Sequence, residues 1–274
     1  MTAVLQARFA LNHMVAPKLP IDAFFALSAQ LGCTEVEIRN DIAGNAILDG
    51  TTAASIKASA AAHGQKILTI NALQRFNDWS AARAAEAEDL AGWCAATGAG
   101  ALILVPKNDG TGCEDGARQS NLRQALTGLA PILQRHGIRG FVEPLGFEIC
   151  SLRRKSEVAA AIVELGLQTR FRITHDTFHH HLAGEDAIFP ELTGLIHISG
   201  VTDPAVSVAD MRDNHRVLVD GRDRVQNIAQ VKRLLAAGVT TACAFEPFAS
   251  EVHSSATLAA DLSASMNYIR AALG

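Results

Sequence analysis

The sequence predicts a protein of the α/β class, folded as a closed (β/α)8 barrel of the TIM type. Three observations predict it: a helix, glycine and strand unit recurs along the chain, polar residues end the predicted strands, and the chain has 274 residues. Such barrels typically need about 250 residues. The length therefore accommodates eight units, and because no Ser/Pro-rich linker interrupts them we expect one domain over residues 1–274.

The recurring unit starts with Ala/Leu-rich sequence of helical spacing and ends in a short run of apolar, often β-branched residues. A glycine between the two is the usual left-handed stop of a helix. The junction glycines are Gly32, Gly64, Gly98, Gly137, Gly166 and Gly238. They predict strands at residues 34–39, 66–71, 101–106, 138–143, 170–176 and 241–246.

Two further runs complete the set of eight strands. Residues 8–12 form the first, and residues 194–199 lie in the longer gap between Gly166 and Gly238. Helix-forming sequence follows each strand, most clearly over residues 79–97 and 226–237, where apolar residues repeat at helical spacing. These two stretches are predicted to be packing helices.

A doubly wound open sheet is the competing architecture. The dinucleotide fingerprint that such sheets often carry is missing, because Gly98-Ala99-Gly100 is followed by no third glycine. We interpret this G-x-G as a tight turn between a helix and a strand.

Charge and hydropathy exclude two classes of partner. Lys and Arg number 24 against 28 Asp and Glu, which gives a formal net charge of −4. A duplex-binding surface usually needs a basic excess, so we expect no nucleic acid partner. Residues 1–15 include Arg8 and His13 and lack the apolar core of a signal peptide. No apolar run approaches the roughly 20 residues that cross a bilayer, so a cytoplasmic location without a membrane partner is expected.

The five cysteines are an odd number and include no C-x-x-C pair. This pattern indicates neither a disulfide framework nor a zinc knuckle. We therefore expect reduced and mostly buried thiols.

Polar residues at the strand ends predict the active site, because TIM-barrel sites gather at the carboxyl ends of the strands. Glu143, Asp176, His197 and Glu246 end strands five to eight in succession. Three converging acids repel one another unless a positive charge lies between them. The sequence therefore predicts one divalent metal ion, and the oxygen and nitrogen ligands suit Mn²⁺, Zn²⁺, Co²⁺ or Mg²⁺. The other strand-end polar residues are Asn12, His13, Glu37, Arg39, Asn71, Gln74, Lys107, Asn108 and Asp109.

Two residues near the predicted metal site are candidates for binding substrate. His179 follows Asp176 by three residues, which brings its ring to the same mouth of the barrel. Arg216 lies in the loop after strand seven, where a guanidinium could hold a substrate oxygen. The neighbouring His180 and His181 are interpreted as part of a solvated turn.

Short motifs around these residues carry a family resemblance. They are Glu143-Pro144, His175-Asp176-Thr177-Phe178-His179, His197-Ile198-Ser199-Gly200 and Phe245-Glu246-Pro247. In them the sequence resembles the xylose-isomerase-like superfamily of TIM-barrel sugar isomerases and epimerases. Residues 9–14, 35–41, 106–112, 142–148 and 211–220 are most similar to the inosose (2-keto-myo-inositol) isomerases of inositol catabolism.

The resemblance implies a metal-dependent isomerase that shifts the ketone of 2-keto-myo-inositol to a neighbouring carbon through an enediolate. It implies that Glu143, Asp176, His197 and Glu246 bind the metal, and that Glu143 and Glu246 also move protons. His179 and Arg216 match positions that contact substrate oxygens in related epimerases. The expected partner is a small cyclic polyol ketone or ketose, and a homo-oligomer is compatible with the sequence.

Four other functions stay open at this stage. A ketose 3-epimerase or a hydroxypyruvate isomerase would share the metal and the enediolate. An apurinic endonuclease of the same superfamily would require more histidine ligands and a basic rim, and a non-catalytic sugar-binding barrel would bind without turnover. The G-x-S-x-G elbow of nucleophilic hydrolases is absent from the sequence, as is a P-loop.

Overall fold

Eight parallel strands form the centre of the protein. The computed structural model describes residues 6–42, 44, 47 and 49–274; the first five residues of the N-terminal stretch discussed above lie outside them. The strands are β1 (Phe9–Asn12), β2 (Glu35–Arg39), β3 (Lys66–Gln74), β4 (Ala101–Val105), β5 (Arg139–Val142), β6 (Phe171–Asp176), β7 (Thr193–Ile198) and β8 (Cys243–Phe245).

Each strand pairs with its neighbours in sequence, and β1 pairs with β8 to close the barrel. All eight pairings are parallel, so every strand ends at the same mouth of the barrel. The predicted (β/α)8 barrel is confirmed. The open doubly wound sheet is excluded by the closing pair, in which Phe9 is in register with Cys243.

Nine α-helices in the described residues connect and cover the strands. They are α1 (Ile21–Gln30), α2 (Ala53–Ala62), α3 (Ala81–Thr97), α4 (Asp115–Arg135), α5 (Lys155–Glu164), α6 (Thr177–Ala183), α7 (Asn227–Ala236), α8 (Ser250–His253) and α9 (Leu258–Leu273). The predicted helix over residues 79–97 begins later than expected because the Ser80 side chain caps it, accepting a hydrogen bond from the Arg83 amide. It ends at Gly98, whose φ of 86° is left-handed, and the five other junction glycines also have positive φ.

The core has two layers. A small inner cluster fills the barrel itself and is rich in alanine: Ala10, Ala72, Ala101, Ile103, Phe141, Leu195, Ala242 and Ala244. A larger cluster lies between the outer faces of the strands and the helices. Apolar packing thus holds the strands in place, and the polar residues are left to gather at the barrel mouth.

The interpretation of His180 and His181 as a solvated turn is wrong for His180 and incomplete for His181. Both lie in α6, which begins directly after β6 because Asp176 caps it. The helix directs His180 inward, where it is 7% exposed and its ring lies 4.7 Å from that of His175. His181 is half-buried.

Two further expectations concern the whole chain. All five cysteines lie in the described part and are free thiols, four of them buried. Among the described residues no helix is both long and apolar enough to cross a membrane.

Candidate metal centre and active site

Glu143, Asp176, His197 and Glu246 meet at the carboxyl end of the barrel. Each offers one ligand atom, these atoms lie within 4.8 Å of one another, and all four residues are buried. Strand register brings them together, since Asp176 on β6 is paired with His197 on β7. Glu143 and Glu246 each follow their strand by one residue and keep a sheet hydrogen bond, to the carbonyls of Leu104 and Ile198.

The His197 ring is oriented by carboxylates on both sides. Its Nδ1 atom lies 2.7 Å from Glu143 Oε1, 3.2 Å from Glu246 Oε2 and 3.8 Å from Asp176 Oδ2. Its Nε2 atom lies 3.0 and 3.2 Å from the two carboxylate oxygens of Glu37 on β2. The Nδ1 edge of the ring therefore faces the three other candidate ligands.

The donor set fits a divalent cation. It offers three carboxylates and one imidazole nitrogen without sulfur, which is the chemistry that Mn²⁺, Zn²⁺, Co²⁺ and Mg²⁺ accept from proteins. Concentrating three acids in a buried volume is unfavourable without compensating positive charge. These four residues could hold such an ion.

The surroundings shift the pKa values of Glu143 and Glu246 in opposite directions. Burial, together with Glu246 and Asp176, raises the pKa of Glu143 to about 7, against the attraction of His197. Burial would also raise the pKa of Glu246, but His197, Arg216 and Arg39 hold that pKa well below its usual range. Glu246 is thus stabilised as a carboxylate, while Glu143 has a higher proton affinity.

Arg216 is held in the centre of the site. It is 1% exposed, and its Nη2 donates to Asp176 Oδ2 at 2.7 Å and to Glu246 Oε2 at 3.0 Å. Its Nε donates to Ser199 Oγ at 2.9 Å, and its guanidinium lies 4.6 Å from the ring centroid of Phe248. An antiparallel bridge between Gly200 and Val217 folds the loop back and places Arg216 there.

His179 lies one turn into α6, as the sequence spacing predicted. Its backbone amide donates to Asp176 Oδ1 at 3.0 Å, which is the helix cap. The side chain is 4% exposed, and its Nδ1 atom has no hydrogen-bond partner among the described residues. Burial lowers the pKa of His179, so a neutral ring with an unused polar atom stands at the mouth.

Sequence reasoning assigned no role to Arg39, although the strand-end pattern named it. Arg39 is 5% exposed, donates to Glu246 Oε1 at 2.7 Å and forms two 2.7 Å hydrogen bonds with Asp41. Asn12 and Asn71 also donate to Glu246 Oε1, at 3.1 and 3.3 Å. Glu246 therefore accepts hydrogen bonds from three side chains whose roles the sequence did not specify.

A cavity of about 360 Å³ opens onto this site. Its lining combines guanidinium, amide and carboxylate groups with a few apolar side chains: Arg39, Asp41, Asn71, Gln74, Arg75, Val105, Pro106, Asn108, Asp109, Glu143, Leu145, Phe147, His179, Asp213, Arg216, Glu246 and Phe248. Many hydrogen-bonding groups around a small volume suit a ligand that carries several hydroxyl groups.

The structure brings all six predicted site residues to one mouth of the barrel. Of the other strand-end residues, four lie outside the cavity lining: Asn12, His13, Glu37 and Lys107. The His13 ring instead stacks on Phe24 at 4.2 Å, and the backbone amide of Lys107 donates to Asn77. A strand-end position is thus a useful signal for the site but not a sufficient one.

The fold and the site define a TIM-barrel protein with a candidate metal centre at the carboxyl ends of its strands. The sequence matches the Xylose isomerase-like TIM barrel family over residues 25–272, and the chain belongs to that family. Among curated proteins, none matches the chain.

Solved structures extend the comparison. A xylose isomerase domain containing protein from Salmonella typhimurium LT2 is 33% identical, with 97% of each chain covered and a TM-score of 0.86. An IOLI protein with a bound zinc atom has a TM-score of 0.85 at 16% identity, covering 96% of this chain and 98% of its own. D-psicose 3-epimerase from Clostridium cellulolyticum H10 has a TM-score of 0.74 at 14% identity, covering 97% of this chain and 99% of its own. At these two lower identities the likeness is one of fold.

Proposed function

We propose that the protein is a divalent-metal-dependent isomerase that moves the ketone of 2-keto-myo-inositol to a neighbouring carbon. The observation that carries the proposal is the juxtaposition of four buried donors, within 4.8 Å, with a polar cavity of about 360 Å³. Glu143 and Glu246 belong to both, so a ligand in the cavity meets the two glutamates directly.

The metal would be held by Glu143, Asp176, His197 and Glu246. When bound, it would supply Lewis-acid polarisation of a substrate oxygen, which makes an adjacent C–H group more acidic. Membership of the Xylose isomerase-like TIM barrel family and the oxygen and nitrogen donor set both support this assignment.

The two glutamates would move the proton. One carboxylate takes the hydrogen from the hydroxyl-bearing carbon next to the ketone, and the C–H electron pair forms the enediolate. A carboxylate then returns a proton to the former carbonyl carbon, while the proton of the neighbouring hydroxyl passes to the former carbonyl oxygen, so the ketone has moved by one position. The hydrogen bonds from Arg39 and Arg216 keep Glu246 ionised, so it is available to accept the proton.

Arg216 and His179 would stabilise negative charge on the substrate oxygens. The Arg216 guanidinium is fixed by Ser199, Asp176 and Phe248, so little reorganisation is required when charge develops. His179 also lines the cavity, so its neutral ring provides a further polar contact for an incoming hydroxyl or carbonyl oxygen.

The test is incubation of 2-keto-myo-inositol in D₂O with protein and Mn²⁺, Zn²⁺, Co²⁺ or Mg²⁺, followed by removal of protein and metal and proton NMR. We expect a neighbouring ketone with deuterium at the α-carbon, and loss of conversion after EDTA treatment. His197→Ala should lower the bound metal measured by elemental analysis. Undiminished metal content in that variant would remove His197 from the ligand set.

A ketose 3-epimerase is the second candidate, because the fold of D-psicose 3-epimerase resembles this one and the cavity lining suits any small polyol. Incubation with D-fructose and D-tagatose under the same conditions separates the two. Deuterium at carbon 3 of a ketose, without turnover of 2-keto-myo-inositol, would replace the first proposal by the second.

A further inference from the structure

Glu37 lies outside the candidate ligand set but contacts it. Glu37 is in β2 and is fully buried, and its side chain crosses the barrel to reach His197 on β7. Both carboxylate oxygens lie near the ring, at 3.0 and 3.2 Å from Nε2. Since β2 and β7 are not neighbours in the sheet, this contact depends on side chains that meet inside the barrel.

Two further buried side chains hold the Glu37 carboxylate. Thr69 Oγ1 on β3 donates to Glu37 Oε2 at 2.6 Å, and Asn12 Nδ2 donates to Glu37 Oε1 at 3.4 Å. Thr69 and Asn12 are both fully buried. A buried carboxylate is costly unless hydrogen bonds satisfy it, so this arrangement indicates a specific use.

The role of the Glu37 carboxylate follows from the chemistry of the His197 imidazole. A metal-binding histidine presents a bare nitrogen to the ion and carries its proton on the other nitrogen. In His197 the Nδ1 atom faces Glu143, Glu246 and Asp176, so the proton belongs on Nε2, where Glu37 accepts it. A carboxylate in this position fixes both the tautomer and the rotation of the ring.

We infer that Glu37 is a positioning residue, which holds His197 as the Nε2–H tautomer with Nδ1 directed at the metal. This inference rests on the proposed function, because it assumes that the four donors bind a metal. It concerns the affinity for the ion and requires no knowledge of the substrate.

The test measures Zn²⁺ affinity of the full chain by competition with a chelator of known affinity. Substitution of a partner of a metal ligand typically weakens metal binding by about 10–100-fold. We expect a loss in that range for Glu37→Gln, which retains the side-chain size but removes the charge. Labelling with ¹⁵N-histidine adds a signature: in the zinc-loaded wild type the His197 Nε2 proton should resonate downfield and exchange slowly, and in the variant it should move upfield.

Thr69→Val provides a second variant that leaves Glu37 and all four donors in place. It removes the 2.6 Å hydrogen bond to Glu37 and should weaken Zn²⁺ binding by a few-fold. Thr174→Val is the matched control, because Thr174 is a buried strand residue whose hydroxyl has no hydrogen-bond partner in the described part of the chain. Its Zn²⁺ affinity should equal that of the wild type.

The outcomes separate the two proposals. If the wild type binds Zn²⁺ and Glu37→Gln and Thr69→Val bind it equally well, with an unchanged His197 signal, the positioning role is overturned while the metal site stands. If the wild type binds no divalent ion, both proposals fail. Weaker binding in both variants, with Thr174→Val unaffected, supports the inference even if Glu37→Gln proves less stable.

Discussion

Two buried histidines beside β6, His197 on the mouth side and His175 on the helix side, have pKa values shifted in opposite directions. On the mouth side, Asp176 contacts Arg216 and lies near His197. On the helix side, the preceding residue His175 makes a 2.9 Å hydrogen bond with Gln230 of α7, and its ring lies 4.7 Å from that of His180. One step along the strand therefore separates a carboxylate-rich environment from one in which no carboxylate of the described residues contacts the rings of His175 and His180.

The surrounding charges explain the difference. Burial alone would lower the pKa of His197, but Glu246, Glu37 and Glu143 raise it well above its usual range. Burial also lowers the pKa of His175 well below its usual range, and there the nearby Lys155 and His180 add to the effect. Burial by itself thus favours neutral imidazole, and only the converging carboxylates reverse it.

Lys155 shows the same rule for an amine. Burial lowers its pKa to about 7, against the attraction of Glu185 and Asp176, and its Nζ atom contacts His180 Nδ1. Burial likewise lowers the pKa of His180 to about 3. The helix-side cluster therefore consists of bases that burial makes harder to protonate, whereas the mouth-side cluster concentrates charge that a reaction can use.

The largest expected effect tests whether the reaction needs only the mouth-side cluster. Glu246→Gln keeps the side-chain size and should retain the fold, but removal of a general base typically lowers turnover by about 10²–10⁴-fold. Lys155→Met on the other side of β6 should change turnover little. Steady-state turnover of the proposed substrate, 2-keto-myo-inositol, measures both. Near-wild-type turnover in Glu246→Gln would rule out its role as the base.

The sequence predicted the mouth-side donors because their position depends on topology. A parallel barrel brings all strand ends to one mouth, so Asp176 and His197 could be placed together without knowledge of any side-chain conformation. Arg216 reaches the site as well, although many residues of the loop separate it from the end of β7. The bridge between Gly200 and Val217 accounts for this.

The sequence did not predict contacts that depend on side-chain reach across the barrel. Glu37 was named as a strand-end residue, but its contact with His197 joins strands that are not neighbours. The burial of His180 was missed for a different reason. A run of three histidines after a strand has no apolar periodicity that would distinguish a helix from a turn. The segment is helical because the Asp176 side chain caps α6.

A smaller effect is expected on the free energy of unfolding when the buried Lys155 is replaced. A lysine whose pKa is near 7 when folded and 10.5 when unfolded binds fewer protons in the folded state between these values. The contribution of Lys155 to the free energy of unfolding therefore rises as the pH increases from about 7 to 10.5 and is lowest at and below neutral pH. Lys155→Met should raise the free energy of unfolding at pH 7 by about 1–4 kcal/mol, with a smaller gain toward pH 10.

Urea unfolding of wild type and Lys155→Met at several pH values checks this prediction. The difference between the two curves is the informative quantity, because the other titrating groups are common to both proteins. A gain that does not shrink between pH 7 and pH 10 would mean that Lys155 is already charged in the folded protein.

The smallest expected effect concerns Thr177, which joins the two sides of β6. Its Oγ1 lies 2.6 Å from Asn227 Oδ1 and 3.2 Å from the carbonyl oxygen of His197, while its own carbonyl accepts a hydrogen bond from Gln230. Thr177→Val removes only the hydroxyl contacts and should lower the free energy of unfolding by about 1–2 kcal/mol. Because the four candidate metal ligands are fixed mainly by strand register, turnover should change by less than a few-fold. A tenfold loss of turnover would instead show that the helix-side network positions His197, and that the two clusters are coupled.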